Sequence, residues 1–383
     1  MRAGSWSTQR SSRQQASGTQ TCLGRIYLPL RSSRKVHTSM ATADTTKVVE
    51  ADDAVSAPVR ALQIGRDYGI GGFFFLLLLI FSLASPTFLS GPNLLGILTA
   101  ASVVSLFALA EALVVIAGAI DLSVVPIAAL VGVIVALSLN AGIPVWLAVL
   151  IGLGVGFLCG LLNASVIEFM NMSSLIATLA TLTTLTGVVL LITNGKPIFG
   201  VTALAPLGQG RTLGVQNPIL VMIATYALVG IVMSQTKFGN RLLAVGGNAE
   251  AARRAGVRRR FYVFAPFVAC GVISAGAGIV VLGRLGSAQP TFANSILFDA
   301  ITAVALAGVL LSGGRGSILK VLLGSLIVAT IANGLVLLRV SSFWTYVTTG
   351  LLLAVAVWAD GAVSRAIERT SLSTEHRKEA ARA

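Results

Sequence analysis

Two groups of polar residues stand out from a chain that is otherwise mostly apolar, and their types define the chemistry open to it. Glu111, Asp121, Asn163, Thr178, Thr181, Asp299 and Asn333 sit singly within or beside apolar runs. They can exchange hydrogen bonds with one another or with a hydroxylated solute. The second group is contiguous: "AVGGNAEAARRAG", residues 244–256, brings small residues, one acid and two adjacent arginines together, a composition suited to surface recognition. Bond-making chemistry lacks its usual parts. His37 and His376 are the two histidines and both lie outside the apolar runs, which removes the commonest general base and metal ligand from the spans. Cys22, Cys159 and Cys270 have no metal or redox spacing. No H-E-x-x-H, Ser with a His base, or paired carboxylates occurs in the spans, and the one Gly-Lys pair, Gly195 and Lys196, is followed by proline, so a phosphate-binding loop is missing. A non-enzyme that binds no metal and no cofactor of its own is the expectation.

Each candidate has a bland explanation beside the functional one. Glu111 is the acid set deep inside a span, and intramembrane carboxylates cost a few kcal/mol on insertion scales, so a functional role is the default; a packed, backbone-bonded acid is the alternative. Asp121 and Asp299 each stand where an apolar segment begins, and either presents a solute site or caps a helix. Asn163, Thr178, Thr181, Ser325 and Asn333 either line a polar path, with 178 and 181 on one helical face, or bond between helices.

The elements that must position these residues are membrane helices. The chain has 383 residues, 55% hydrophobic and 11% charged, a balance of polytopic membrane proteins. Crossing ~30 Å of hydrocarbon at ~1.5 Å per residue takes about 18 or more apolar residues. About ten spans are predicted, near 69–88, 94–118, 122–139, 144–167, 174–193, 217–235, 261–283, 299–311, 318–338 and 342–359. The eighth is too short to cross alone and reads as a broken or half-membrane element packed inside protein. The expected fold is all-α, with residues 68–360 as the membrane domain and 361–383 as a tail. Glycine-containing loops followed by spans with a late Asn occur in both halves, "AGAIDLSVV" to "GLLNA" and "SGGRGSI" to "IANG", a weak sign of an internal repeat.

Residues 1–39 hold seven Lys or Arg and no acid, half of the formal charge of +14. They lack an apolar core of a secretory signal and resemble a disordered basic leader. An organelle transit peptide shares that enrichment, but Met40 opens an acidic segment, 40–67, and is the preferred start. Charge in the inter-span loops sets orientation. Lys237, Arg241, Arg253, Arg254, Arg258, Arg259 and Arg260 face one acid, Glu250, in residues 236–260. That loop is expected in the cytoplasm, with both termini, and the basicity is topological rather than a nucleic-acid footprint. Within it Asn248 is suited to cap a helix, Glu250 to its first turn, Ala249, Ala251 and Ala252 to its body, Arg253 and Arg254 to its last turn, and Gly256 to its stop. A two-turn surface helix is predicted, preceded by a flexible pair, Gly246 and Gly247. A plain surface loop is the alternative.

The stretch "TKFGNRLLAVGGNAEAARRAGV" at 236–257 resembles the cytoplasmic coupling loop of ATP-binding-cassette sugar permeases of the ribose, xylose and galactose type. The resemblance continues in order through "IAGAIDLSVV" at 116–125, "GLLNASVI" at 160–167, "SLIATLATLT" at 174–183 with "TNGKPI", "LFDAITAVALAGVLLSGGRGS" at 297–317 and "IANGLVLL" at 331–338, covering about 68–360. It implies a multi-pass permease subunit in a bacterial cytoplasmic membrane, in contact with lipid. It also implies a second permease copy, a cytoplasmic ATPase that uses the ATP and docks on the helix near 248–255, and an extracytoplasmic solute-binding protein. Ala119 and Val125 replace family glycines, Leu297 replaces an acid, and "AGVL" at 307–310 replaces a more polar run. Those changes point away from an ordinary pentose or hexose and leave room for a deoxy sugar, a sugar alcohol or another small solute. An ion-driven secondary transporter, with Glu111 as its best feature, is the competing class.

Overall fold

The computed structural model describes residues 68–291 and 295–380. The leader, the 40–67 segment, His37 and Cys22 lie outside the described residues. Among the described residues, six helices are long and apolar enough to cross a membrane: α2 (Gly91–Ile116), α4 (Val145–Phe169), α5 (Ser174–Thr193), α7 (Asn217–Gln235), α10 (Arg259–Leu285) and α12 (Ile318–Leu337). Four shorter apolar stretches complete the ten: α1 (Tyr68–Ala84), α3 (Val124–Asn140), α11 (Ser295–Leu306) and the first part of α13 (Phe343–Ala380). A four-residue helix, α6 (Ala205–Gly208), and a hairpin, β1 (Arg211–Thr212) with β2 (Val215–Gln216), lie between α5 and α7. The hairpin turns at Leu213 and Gly214, both with positive φ, as a tight two-residue loop demands.

Helix ends follow local chemistry more closely than hydropathy. Pro86 lies just past the end of α1, so the first helix stops short of the predicted 88. α2 ends in a Schellman motif. Gly118 takes φ 84°, its N–H donates to the Val115 carbonyl at 2.9 Å, and Ala119 N–H donates to the Val114 carbonyl at 3.1 Å. α11 ends the same way at Gly308, φ 67°, with Gly308 N–H on Ala305 O and Val309 N–H on Val304 O. The eighth span is therefore 295–306 rather than 299–311. The apolar residues 307–311 are not helical, because the left-handed glycine closes the helix before them. At ~1.5 Å per residue, twelve residues cover roughly 18 Å, less than a bilayer core. α13, by contrast, runs unbroken through the predicted tail boundary at 360.

α2 occupies the centre, with 89% of its apolar window buried, packed by α3, α7, α10, α11 and α12. α4 and α10 cross in direct backbone contact. A Cβ on Gly156 would lie 2.4 Å from the Gly271 carbonyl oxygen, and one on Gly160 would lie 2.3 Å from that of Phe267. Small residues four apart let two backbones touch, which is how membrane helices gain contact where lipid supplies no hydrophobic drive.

Candidate functional site

Residues 236–260 hold two short helices and the start of α10. α8 (Lys237–Gly247) starts where Thr236 Oγ1 accepts the Phe238 N–H at 3.1 Å, buries Leu242 and Val245, and turns Lys237 and Arg241 outward. α9 (Ala249–Arg254) starts at Asn248, whose Oδ1 accepts the Ala251 N–H at 2.9 Å. It ends in a Schellman motif at Gly256, φ 80°, with Gly256 N–H on Arg253 O and Val257 N–H on Ala252 O. Ala252 is its buried contact. On the exposed face Glu250 holds Arg253 at 2.9 Å and Arg254 at 3.2 Å. Hydrogen bonds from these two guanidinium groups lower the Glu250 carboxyl below its ordinary range, and the same bond raises Arg253.

Gly246 and Gly247 are not a flexible lead-in. They are the last turn of α8, pressed backbone to backbone against two other segments. A Cβ on Gly246 would lie 1.9 Å from the Ile116 carbonyl oxygen, at the end of α2, and 2.7 Å from the Gly314 nitrogen. One on Gly314 would lie 2.3 Å from Gly247 Cα, and one on Gly313 would lie 2.6 Å from Gly118 Cα. Gly314 N–H donates to Ile116 O at 3.0 Å. The end of α2, the end of α8 and the 307–317 loop thus form one glycine knot. The "SGGRGS" loop is a packed and hydrogen-bonded turn, with Leu310 N–H on Arg315 O.

Beside the knot lies a buried polar network. Glu111 Oε1 accepts the Asp121 N–H at 3.2 Å, and Asp121 Oδ1 accepts the Ser123 N–H at 2.9 Å and the Ser123 hydroxyl. Asn163 Nδ2 donates to Ser123 Oγ at 2.8 Å, and Thr181 Oγ1 donates to Asn163 Oδ1 at 2.6 Å. Thr178 Oγ1 donates to the carbonyls of Ser174 and Ile120, and Ile120 N–H donates to Ser174 Oγ. Five of the seven candidates therefore converge, from α2, α4, α5 and the 117–123 loop. Asp121 is not a helix cap: Ser123 holds the N-cap position of α3, and Asp121 closes an Asx turn two residues earlier. Glu111, Asp121, Asn163 and Thr178 are sealed within the chain.

Asp299 and Asn333 lie apart from this network. Asp299 is in the second turn of α11, not at its cap, and accepts a 3.0 Å bond from Thr349 on α13. Asn333 exchanges bonds with Asn93 at 2.9 and 3.1 Å. Ser325 bonds back to Val321 on its own helix. The two Asn residues of the apparent repeat thus have unrelated partners, although the two glycine loops do meet in the knot. Sequence reasoning missed α8, whose apolar positions 238, 242 and 245 repeat at helical spacing. It also missed Glu168, buried at the end of α4 and paired with Arg259 at 3.2 Å and Arg260 at 3.9 Å. An acid ending one span and a basic run opening another was the available signal. Among the described residues no group of three or more His, Cys, Asp or Glu is placed to hold a metal.

Comparison with known proteins decides what this scaffold is. Residues 93–357 match the family described as the permease component of the branched-chain amino acid transport system. The chain belongs to this permease family. It is 38% identical to the ribose import permease of Bacillus subtilis over 75% of this chain and 90% of that protein. It is 40% identical to the probable ABC transporter permease YphD of Escherichia coli over 74% and 86%, and 36% identical to the L-arabinose transport permease AraH of Escherichia coli over 79% and 94%. No solved structure matches. Membership makes the chain a helical membrane permease of the ATP-binding-cassette type, a transport subunit and not an enzyme, and decides against the ion-driven alternative. A permease of this kind works with a partner ATPase and a solute-binding protein.

Proposed function

We propose that this permease carries a sugar or sugar-like solute inward across a bacterial cytoplasmic membrane, paired with a second permease copy, and that α9 is the surface on which the ATPase acts. The observation that carries the reading is the continuity from α9 through Gly246 and Gly247 into the knot, which touches both α2 and the loop after α11. A push on α9 passes through Asn248 into α8, whose last two glycines are packed directly on the end of α2 and the loop after α11. The residues offered to the ATPase are Glu250, Arg253 and Arg254, with Asn248 and Gly256 fixing the ends of the helix and Ala251 and Ala252 its body. Six spans precede α8 and ten precede the end of the chain, so both termini share its side. The positive-charge bias of residues 236–260 supports a cytoplasmic location for that side. The buried network of Glu111, Asp121, Asn163, Thr178 and Thr181 braces the knot against α4 and α5. An Arg253→Ala, Arg254→Ala double variant tests the docking role. It should insert and fold normally yet lose ATP-driven uptake, and full uptake with normal ATPase recruitment would remove α9 from the coupling path.

A further inference from the structure

Asp299 belongs to a polar group on α11 and α13 that is separate from the buried network around Asp121. Ser295, Phe298 and Asp299 on α11, Ser342 just before α13, and Thr345, Tyr346, Thr349 and Leu353 on α13 line a groove of about 510 Å³. Further along, Ala305 near the end of α11 and Ser312 in the loop after it lie near Ala356 and Gly361 of α13, so the groove is at the end of this pair remote from the glycine knot. With the knot on the cytoplasmic side, the groove faces the side from which solute arrives. Its volume is within the ~300–1,000 Å³ usual for small-molecule sites.

Its hydrogen bonding is arranged differently from that of an ordinary span. A hydroxyl on a membrane helix usually bonds back to its own carbonyls, as Thr348 does to Trp344 at 2.6 Å. Thr349 instead donates across to Asp299, fixing one face of the carboxylate. An ionised carboxylate has about four acceptor positions, and among the described residues no cation pairs with Asp299. The remaining polar neighbours are hydroxyls that both donate and accept, and the Tyr346 ring is exposed beside them. An oriented acceptor, several hydroxyls and an aromatic face match a neutral polyol, with alternating O–H groups and C–H faces. An anion would meet the carboxylate's charge.

We propose that this groove is a station on the transport path for a polyhydroxylated solute, in which Asp299 accepts solute hydroxyls, Thr349 positions the carboxylate and Tyr346 packs against the solute's C–H face. The inference rests on the sugar-import reading and adds where the solute is held. Since the binding protein sets the half-saturating concentration, loss of the station should lower the maximal rate. The test uses the complete transporter in vesicles, with radiolabelled pentoses, hexoses, pentitols and a diamine as probes. Asp299→Asn and Thr349→Val should each lower maximal uptake of the transported polyol about tenfold, leaving the half-saturating concentration and ATPase recruitment unchanged. Thr349→Ser should restore uptake, and Thr348→Val should leave it unaltered. Wild-type uptake in Asp299→Asn overturns the station alone. Transport by the wild type of the diamine and not of any polyol overturns the solute class, and transport of no probe at all overturns the sugar reading and the station together.

Discussion

Gly246→Ala is the sharpest perturbation of the coupling path because it adds one methyl where the structure has no room for it. That methyl carbon would lie 1.9 Å from the Ile116 carbonyl oxygen and 2.7 Å from the Gly314 nitrogen, so one backbone must retreat by more than an ångström. Both obstacles are main-chain atoms, which cannot rotate aside. Moving Ile116 O also lengthens its bond from Gly314 N–H. Overpacking costs ~1–3 kcal/mol and a weakened hydrogen bond ~0.5–1.5 kcal/mol, offset by ~1 kcal/mol from replacing glycine in a helix. The net is roughly 0.5–3.5 kcal/mol against the tight knot. The control is Gly132→Ala in α3, where a Cβ meets nothing within 4 Å and only the propensity gain applies. The assay is uptake and solute-stimulated ATP hydrolysis by the reconstituted transporter, beside thermal unfolding in detergent. Gly246→Ala should bind the ATPase through an intact α9, unfold at lower temperature, and lose stimulation of hydrolysis by solute-loaded binding protein. Uptake and unfolding temperature equal to those of Gly132→Ala would refute the need for close backbone approach.

Three further outcomes follow from particular contacts. Removing the acid of the Glu168 pair leaves two arginines that are 49% and 74% exposed, so Glu168→Gln should cost about 1 kcal/mol or less; Arg259→Gln with Arg260→Gln strands a buried carboxylate and should cost ~3 kcal/mol or more, both read by thermal unfolding. Asn163→Leu removes a donor to Ser123 and an acceptor for Thr181 and should destabilise by ~1–3 kcal/mol, whereas Glu111→Gln keeps an acceptor oxygen for Asp121 N–H and should retain most uptake. Glu250 has a lowered folded value relative to its ordinary 4.5. Its pairing therefore stabilises α9 above about pH 4.5 and is lost as pH falls through the lowered value; the amide-exchange protection factors of residues 252–257, which are corrected for the intrinsic slowing of exchange in acid, should fall relative to pH 7, and Glu250→Gln should abolish that pH-dependent loss.

The sequence made α9 legible because its cap, first-turn acid, last-turn bases and terminal glycine act within one short segment. The spans were legible for a similar reason, since each run carries its own length and hydropathy. What joins the spans was not. α2 and α5 have the same mean hydropathy, 2.2, yet 89% of one window and 22% of the other are buried, because lipid and protein are equally acceptable surroundings for Leu and Val. The knot was illegible for a different reason. Gly118, Gly246 and Gly314 are far apart in the chain, and a glycine needed for close approach looks the same in sequence as one that supplies flexibility. Charge also misdirected attention: the basic residues of 236–260 defined a loop so strongly that the helical spacing of Phe238, Leu242 and Val245 went unused.

α11 joins the two ends of this arrangement. Its first turns carry Ser295 and Asp299 into the groove, and the loop that follows it carries Gly313 and Gly314 into the knot. A twelve-residue helix is a stiff rod over roughly 18 Å, so displacement at the knot reaches the Asp299 carboxylate if the link at Gly308 holds its angle. Gly308 has φ 67° and no atom within 4 Å of an added Cβ, which separates backbone strain from crowding. Gly308→Ala should therefore cost ~1–2 kcal/mol in the left-handed conformation without disturbing the packing of either end. If the rod transmits coupling, this variant keeps ATPase binding and solute selectivity but hydrolyses more ATP per solute moved. If ATP use per solute is unchanged while the unfolding temperature falls, the link serves stability alone and motion reaches the groove through α2 and α12, which flank α11.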